Sequence, residues 1–114
     1  NHHGCWDANN DYILEKLSPL SIILTVWRTT QPTGGIAKYF SPKVNGGEAD
    51  LFITHLEPET REKLGEDMSK VSSSEDAHLV VRVSPGGQTY HIYLLDVNND
   101  SMKVTKVFGP YHSH

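Results

Sequence analysis

The stretch LVVRVSPGGQTYHIYLL (residues 79–95) decides the fold class predicted for this chain. Its two runs of β-branched and aromatic residues flank Ser84-Pro85-Gly86-Gly87, a composition typical of a turn, and together they predict a β-hairpin. A second turn at Asn98-Asn99-Asp100 leads to another predicted strand, Met102 to Phe108. The end of the chain therefore predicts a meander of three antiparallel strands.

Two helices are predicted before the meander. Asn10 or Asp11 is suited to cap a helix that runs to Leu17 and is ended by Pro19. The segment Glu57-Pro58-Glu59 places a proline and acidic residues in the first turn of a second helix. The apolar residues of this second helix follow the spacing of one buried face, and they are Leu64, Met68 and Val71.

Three more strands complete the predicted fold. Ser21 to Thr30 is rich in β-branched residues and predicts a strand, with a helix as the alternative because Ser18-Pro19 also suits a helix start. Ile36 to Phe40 and Ala49 to Leu56 predict a hairpin. We expect an α+β fold, in which an antiparallel sheet of about four to six strands packs against one or two helices. The length predicts a single domain over residues 1–114, with residues 1–8 and 110–114 as flexible tails.

Composition and charge exclude several classes of protein. The chain has 114 residues, of which 37% are hydrophobic and 21% charged, with a formal net charge of -4. These values are typical of a globular protein and argue against a disordered chain or an electrostatic DNA binder, so we expect no DNA partner. The apolar run from Ile22 to Trp27 is far shorter than the roughly 20 residues that a membrane helix needs, so we expect no membrane partner.

The compartment stays open. Cys5 is the one cysteine, so no disulfide can form within the chain. The chain does not begin with Met, as in a processed protein or a trimmed one, and Asn99-Asp100-Ser101 is a glycosylation sequon that matters only in a secreted protein. Secretion is favoured over the cytoplasm on these grounds.

Two copies of the pattern Asp-x-Asn-Asn-Asp, at residues 7–11 and 96–100, raise the question of a calcium site. A calcium loop of the helix-loop-helix type needs Gly at position 6 and Glu at position 12. Those positions are Ser101 and Val107 in one copy and Tyr12 and Ser18 in the other. We therefore predict a turn and a helix cap, and expect no metal or other cofactor.

The histidines near the chain ends are the other candidate metal ligands. His2, His3 and Cys5 cluster at one end, and His112 and His114 at the other. Side chains in tails are poorly preorganised for coordination, so we assign them no metal site.

The meander also predicts a candidate catalytic site. A four-residue turn pairs Val83 with Gln88, and strand alternation then divides the side chains between two faces. We expect the face that contains Leu79, Val81, Val83, Tyr90 and Ile92 to be the core. The opposite face would place Arg82 beside Thr89, Val80 beside His91 and His78 beside Tyr93.

Two functions from different classes fit these patterns. The first is a small protein-binding module, in one form a secreted effector-like protein, which contacts another protein through a strand edge or the aromatic residues of the sheet. Its expected anchors are Trp6, Trp27, Tyr93 and Tyr111. The alternative is a metal-independent ribonuclease-like hydrolase, or an RNA-binding relative without catalysis, with His91 and His78 as acid and base and Arg82 as charge stabiliser. No phosphate-loop or nucleophile-elbow motif is present in the sequence, which favours the binding module.

Overall fold

The computed structural model describes residues 3–5 and 9–113, which contain two α-helices and five strands. The chain divides into two compact units, Asn1–Glu75 and Asp76–His114. The first unit holds both helices and a two-stranded parallel sheet, and the second holds a three-stranded antiparallel sheet. The predicted α+β class is confirmed, whereas the single domain expected from the length stays a prediction.

Helix α1 (Asp11–Leu17) begins where the sequence predicts. Asn10 is the N-cap residue, and its side-chain Oδ1 accepts a hydrogen bond from the Ile13 backbone N–H at 2.9 Å. Ser18 ends the helix in the left-handed conformation, and its N–H donates to the Leu14 carbonyl at 2.9 Å. Leu14 is the buried residue of α1, so a cap at each end and one core contact together define the helix.

The strands of the first unit are β1 (Ser21–Leu24) and β2 (Asp50–Ile53), which pair in parallel. The predicted strand from Ser21 to Thr30 is too long, because Thr54 takes over the backbone bonds beyond β1. Its hydroxyl accepts from the Val26 N–H at 3.0 Å and donates to the Val26 carbonyl at 3.1 Å. A side chain therefore satisfies backbone groups that a longer ladder would have used.

The predicted strand Ile36 to Phe40 is wrong, because Ala37–Phe40 form a 3-10 helix. Ile36 and Tyr39 are three residues apart and both fully buried. A helix with three residues per turn places them on one side, whereas the two-residue alternation of a strand would separate them. The predicted strand Ala49 to Leu56 is present as β2, but it pairs with β1, so the predicted hairpin does not form.

Helix α2 (Pro58–Leu64) begins at the predicted proline and ends at Gly65, from which a 3-10 helix (Gly65–Lys70) continues. Gly65 has a φ of +56°, outside the helical region, a conformation that glycine adopts without steric cost, so α2 stops at this residue. The predicted apolar stripe still packs against the core, as Leu64, Met68 and Val71 do. The core cluster of this unit consists of Leu14, Ile22, Leu24, Val26, Ile36, Tyr39, Val44, Ala49, Leu51, Ile53 and Leu56.

The second unit confirms the predicted meander. Its strands are β3 (Ala77–Val83), β4 (Thr89–Asp96) and β5 (Val104–His112), in the order β3-β4-β5. Strand β5 extends beyond the predicted end at Phe108, and Tyr111 pairs with Tyr90, so residues 110–112 belong to the sheet although we expected them in a tail. Of the other expected tail, residues 1, 2 and 6–8 lie outside the described residues.

The expected core face of the meander is only partly buried. Ile92 and Leu94 on the central strand are fully buried, whereas Val81 is 47% exposed and Val83 is 57% exposed. The prediction that Val81 and Val83 belong to the core is therefore wrong. Alternation identifies which residues share a face, but burial also depends on the position of the strand, and β3 lies at the edge of its sheet.

Candidate functional site

The turn between β3 and β4 sets the pairing of the two strands. The Ser84 backbone N–H donates to the Thr89 carbonyl at 2.9 Å, and the Ser84 hydroxyl donates to the same oxygen at 3.0 Å. The Thr89 N–H in turn donates to the Ser84 hydroxyl at 3.1 Å. These bonds extend the ladder to Ser84, so Val83 pairs with Tyr90 and the predicted pairing of Val83 with Gln88 is wrong.

The observed register differs from the predicted one by two residues. Arg82 lies opposite His91 and not beside Thr89, and Val80 lies opposite Tyr93 and not beside His91. Because side chains alternate with a period of two, an even shift changes the neighbours but keeps every side chain on its predicted face. The two strands thus have two faces. We call one of them the Arg82 face; it contains His78, Val80, Arg82, His91, Tyr93 and Leu95. The other is the Ile92 face, with Leu79, Val81, Val83, Tyr90, Ile92 and Leu94.

A cavity of about 490 Å³ opens on the Arg82 face next to the turn. Arg82 is exposed, His91 and Tyr93 are half-buried, and the rings of His91 and Tyr93 lie 6.1 Å apart with a tilt of 43°. Within the described part of the chain, none of these three side chains forms a hydrogen bond or an ion pair. The lining residues are Arg82, Val83, Ser84, Pro85, Thr89, His91 and Tyr93.

The chemistry of this cavity suits an anion. A guanidinium presents several N–H donors in a planar fork that matches a carboxylate or a phosphate, and an imidazole adds a further donor or acceptor. None of the lining residues is Asp or Glu. Arg82 therefore has no counter-ion among the residues that line the cavity with it.

His78 lies apart from this cavity. It is opposite Leu95 on β4 and lies four positions along β3 from Arg82, a distance of about 13 Å along an extended strand. It is not among the lining residues. An acid and a base that act on one phosphate must both reach it by a hydrogen bond. The structure thus brings Arg82 and His91 together, but it does not bring His78 to them.

Gly109 is a site residue that the sequence analysis missed. It lies in β5 where the β4–β5 register shifts between Tyr90 and Ile92. Its φ is +111°, and a Cβ atom there would lie 2.9 Å from the Tyr90 carbonyl oxygen and 3.3 Å from His91 Cδ2. Only glycine lets β5 approach the His91 ring this closely. A glycine inside a predicted strand segment is a signal for such a bulge.

The carboxylates of the second unit gather at the far end of the sheet. Asp76 precedes β3, Asp96 pairs with Ala77 at the start of β3, and Asp100 lies in the β4–β5 turn. They are the only Asp and Glu residues of the second unit in the sequence. Arg82 is five residues from Ala77, about 17 Å along the strand. The carboxylates of the second unit therefore lie at the end of the sheet away from Arg82.

Strand β3 presents unpaired backbone groups at the sheet edge. Because Ser84 donates its N–H to Thr89, alternation along the antiparallel ladder directs the N–H and C=O groups of Val80 and Arg82 towards β4. The same groups of Val81 and Val83 point away from β4. In residues 3–5 and 9–113, β3 pairs with β4 alone, and no residue from Ala77 to Val83 makes another backbone hydrogen bond.

Apolar side chains accompany these backbone groups. Val80, Val81 and Val83 are each more than 40% exposed. They belong to a shallow cavity of about 460 Å³ that is lined by Val80, Val81, Arg82, Val83, Tyr93, Leu95 and Val104. An exposed strand edge with apolar side chains is a template for pairing with another chain.

The other edge of the sheet, strand β5, is protected against pairing with another chain. Strand β5 contains Pro110 and Lys106, and its pairing with β4 has two register shifts. Prolines, bulges and charged residues, lysines above all, are among the features that protect an edge strand from pairing with other chains. Strand β3 has no proline, lysine or bulge, and Arg82 is its one charged residue, so it is the less protected edge, which we call the open edge of this sheet.

The predicted aromatic anchors have different environments. Tyr93 lines the cavity that contains Arg82 and His91, and it also lines the shallow apolar cavity along β3. Tyr111 stacks on Tyr90, with ring centroids 4.9 Å apart, and so is packed within the sheet. Trp27 belongs to the first unit, where it is 65% exposed and has the Arg28 guanidinium 5.1 Å from its ring. Trp6 lies outside the described residues.

The described residues of the two Asp-x-Asn-Asn-Asp segments form a helix cap and a turn, as the sequence predicts; Asp7 and Ala8 lie outside the described residues. In the first, Asn10 caps α1. In the second, Asp96 Oδ1 accepts from the Asn98 N–H at 2.8 Å, and Asn99 Oδ1 accepts from the Ser101 N–H at 2.9 Å. These bonds are those of a turn stabilised by its own side chains.

Among the described residues, no group of three or more His, Cys, Asp and Glu side chains is arranged to hold a metal ion; His2 and His114 lie outside them. No helix in residues 3–5 and 9–113 has the length and apolar character to cross a bilayer. No protein-family model, curated protein or solved structure matches this chain.

Proposed function

We propose that this chain is a protein-binding module that adds an extended segment of a partner protein to strand β3. The observation that carries the proposal is the outward direction of the Val81 and Val83 backbone groups on an edge without proline, lysine or bulge. In strand addition, backbone hydrogen bonds supply affinity and pockets for alternate side chains supply specificity. The apolar cavity along β3 offers such pockets.

The experiment uses the full chain and a displayed library of linear peptides as the probe. Peptides selected by the wild-type protein are measured against two variants at one position. Val81→Pro removes an outward N–H and inserts a ring at the edge, but it leaves the ladder with β4 intact because that N–H faces away from β4. Val81→Thr is the matched control, since threonine has nearly the same shape and retains the N–H.

Strand addition predicts that Val81→Pro weakens peptide binding on the order of tenfold or more, while Val81→Thr binds within a few-fold of wild type. Circular dichroism of both variants checks that the fold is retained. Equal binding by Val81→Pro and wild type, or no selected peptide at all, would overturn the proposal.

A ribonuclease-like hydrolase, or an RNA-binding relative without catalysis, is the second candidate. The pairing of Arg82 with His91 beside an aromatic ring favours it, because these residue types stabilise a phosphate and stack on a base. The distance of His78 from the cavity weakens it, because His91 then has no second acid or base there. An RNA-cleavage assay on wild type and His91→Ala, with and without chelator, tests it. Cleavage that survives chelation and is lost with His91 would favour the enzyme.

A further inference from the structure

We propose that the captured segment carries an Asp or Glu side chain that binds between Arg82 and His91, and that this contact selects the partner. The inference rests on the proposed strand addition and names the chemistry of the partner. It uses the Arg82 cavity, which lies on the same strand as the open edge.

The absence of a counter-ion in the cavity is the first argument. Arg82 is exposed and has no ion pair in the part of the chain that the structure describes, and no Asp or Glu lines the cavity. A carboxylate accepts two parallel N–H bonds from a guanidinium, and such charge-assisted bonds are among the stronger ones in proteins. His91 lies directly opposite Arg82 and can donate a further bond when its ring nitrogen carries a proton.

The geometry of the edge is the second argument. The backbone groups of Arg82 point towards β4. In an antiparallel added strand, the residue opposite Arg82 therefore occupies a non-hydrogen-bonded position. The Cα atoms of such a pair are about 4.5 Å apart, compared with about 5.5 Å in a hydrogen-bonded pair, and their side chains are closer. An acidic residue at that position shares the Arg82 face and lies next to the guanidinium.

Charge complementarity also distinguishes this partner from a second copy of the chain. Strand β3 itself contains no Asp or Glu, and a second copy would bring Asp76 opposite Arg82 only in the symmetric register centred on Leu79, beyond the end of β3. In the symmetric antiparallel register centred on Val80, Arg82 would face His78 of the other copy. Pairing of two copies within β3 therefore offers the exposed guanidinium no opposite charge, whereas an acidic segment does.

RNA is less suitable for the same surface. A groove that follows a nucleic-acid backbone carries several Lys or Arg side chains. Arg82 is the only Lys or Arg in β3 and β4, and Asp96 lies at the end of β4 that is far from Arg82. One guanidinium with one imidazole matches one carboxylate better than it matches a row of phosphates.

The test repeats the peptide selection with wild type, Arg82→Gln, Arg82→Lys and Lys103→Gln. Arg82→Gln removes the positive charge and the planar set of guanidinium N–H donors. Arg82→Lys retains the charge but not the planar set of donors. Lys103→Gln is the matched control, because Lys103 is also an exposed cation of the second unit but lies near Asp96 at the far end of the sheet. A selected peptide is then synthesised in two forms, with Glu and with Gln at the acidic position.

We expect peptides selected by wild type and by Lys103→Gln to contain Asp or Glu among β-branched residues, and those selected by Arg82→Gln to lack this preference. For wild type, the change from Glu to Gln in the peptide weakens binding on the order of tenfold. The Arg82→Gln variant should bind the Glu and Gln peptides with equal affinity. For Arg82→Lys, the ratio of the two affinities should lie between those of wild type and Arg82→Gln.

Three results would overturn the inference. Peptides that require the Val81 N–H but show no acidic preference would refute the acidic contact and leave the strand addition standing. A failure of wild type to select any peptide would refute both. Binding of a single-stranded RNA probe that depends on Arg82 and displaces the selected peptide would show that the cavity takes phosphate in place of carboxylate.

Discussion

Arg82 and His91 are direct partners across β3 and β4, and their side chains open on one cavity. The turn produces this pairing, because Ser84 is bonded to Thr89 through both its backbone and its hydroxyl. A slip of one residue would turn the guanidinium to the Ile92 face. The bonds of Ser84 therefore support the register that places Arg82 opposite the imidazole.

Replacement of Ser84 by Ala tests this dependence. The variant loses the hydroxyl bonds to Thr89 at 3.0 to 3.1 Å, and we expect it to reduce the free energy of unfolding by about 1 kcal/mol. Urea unfolding measures the change. Ser101→Ala, in the exposed β4–β5 turn, should change it by less than about 0.5 kcal/mol. Equal effects of the two variants would refute the role of Ser84.

Gly109→Ala tests the close approach of β5 to His91. The new methyl group would lie 2.9 Å from the Tyr90 carbonyl oxygen at a φ of +111°, so we expect a loss of at least roughly 1–3 kcal/mol in unfolding free energy. Gly86→Ala is the control, because its φ is also positive, +87°, but no atom lies within 4 Å of the new methyl group. Thermal unfolding should rank Gly109→Ala as the more destabilised variant, and the reverse order would contradict the account.

The raised pKa of Tyr39 leads to a prediction of how the stability of the first unit depends on pH. Burial raises the pKa of its hydroxyl above the ordinary value of 10.0, although the hydrogen bond from Asn9 acts in the opposite direction. Above pH 10 the unfolded chain releases this proton before the folded chain does, so the stability contribution is complete below pH 10 and is lost as the pH rises. Urea unfolding should show this loss in wild type and a smaller loss in Tyr39→Phe. Tyr12→Phe, at an exposed tyrosine, should behave as wild type.

Much of the second unit could be predicted from the sequence because its signals are local. Turn residues and β-branched runs located all three strands, and the period of two assigned His78, Arg82 and His91 to one face although the register was wrong. The sequence signal for the N-cap of α1, Asn10, was equally local. Secretion and an effector-like role stay predictions from the sequence.

The rest depends on contacts that are distant in sequence. The pairing of β1 with β2 and the 3-10 helix at Ala37–Phe40 are set by burial in a core that no short pattern reveals. The exposure of Val81 follows from the position of β3 at the sheet edge, and a sequence does not state which strand lies at an edge.

The central claim is that β3 is an open edge that a partner segment pairs with. Amide hydrogen exchange at single residues tests it most directly, because the account assigns opposite behaviour to neighbouring amides. In the free protein, the amides of Val81 and Val83 should exchange quickly, and those of Val80 and Arg82 slowly. On addition of a selected peptide, the exchange of Val81 and Val83 should slow to the level of Val80.

Exchange at Val81 and Val83 that is already slow in the free protein, or that stays fast in the peptide complex, would contradict the account.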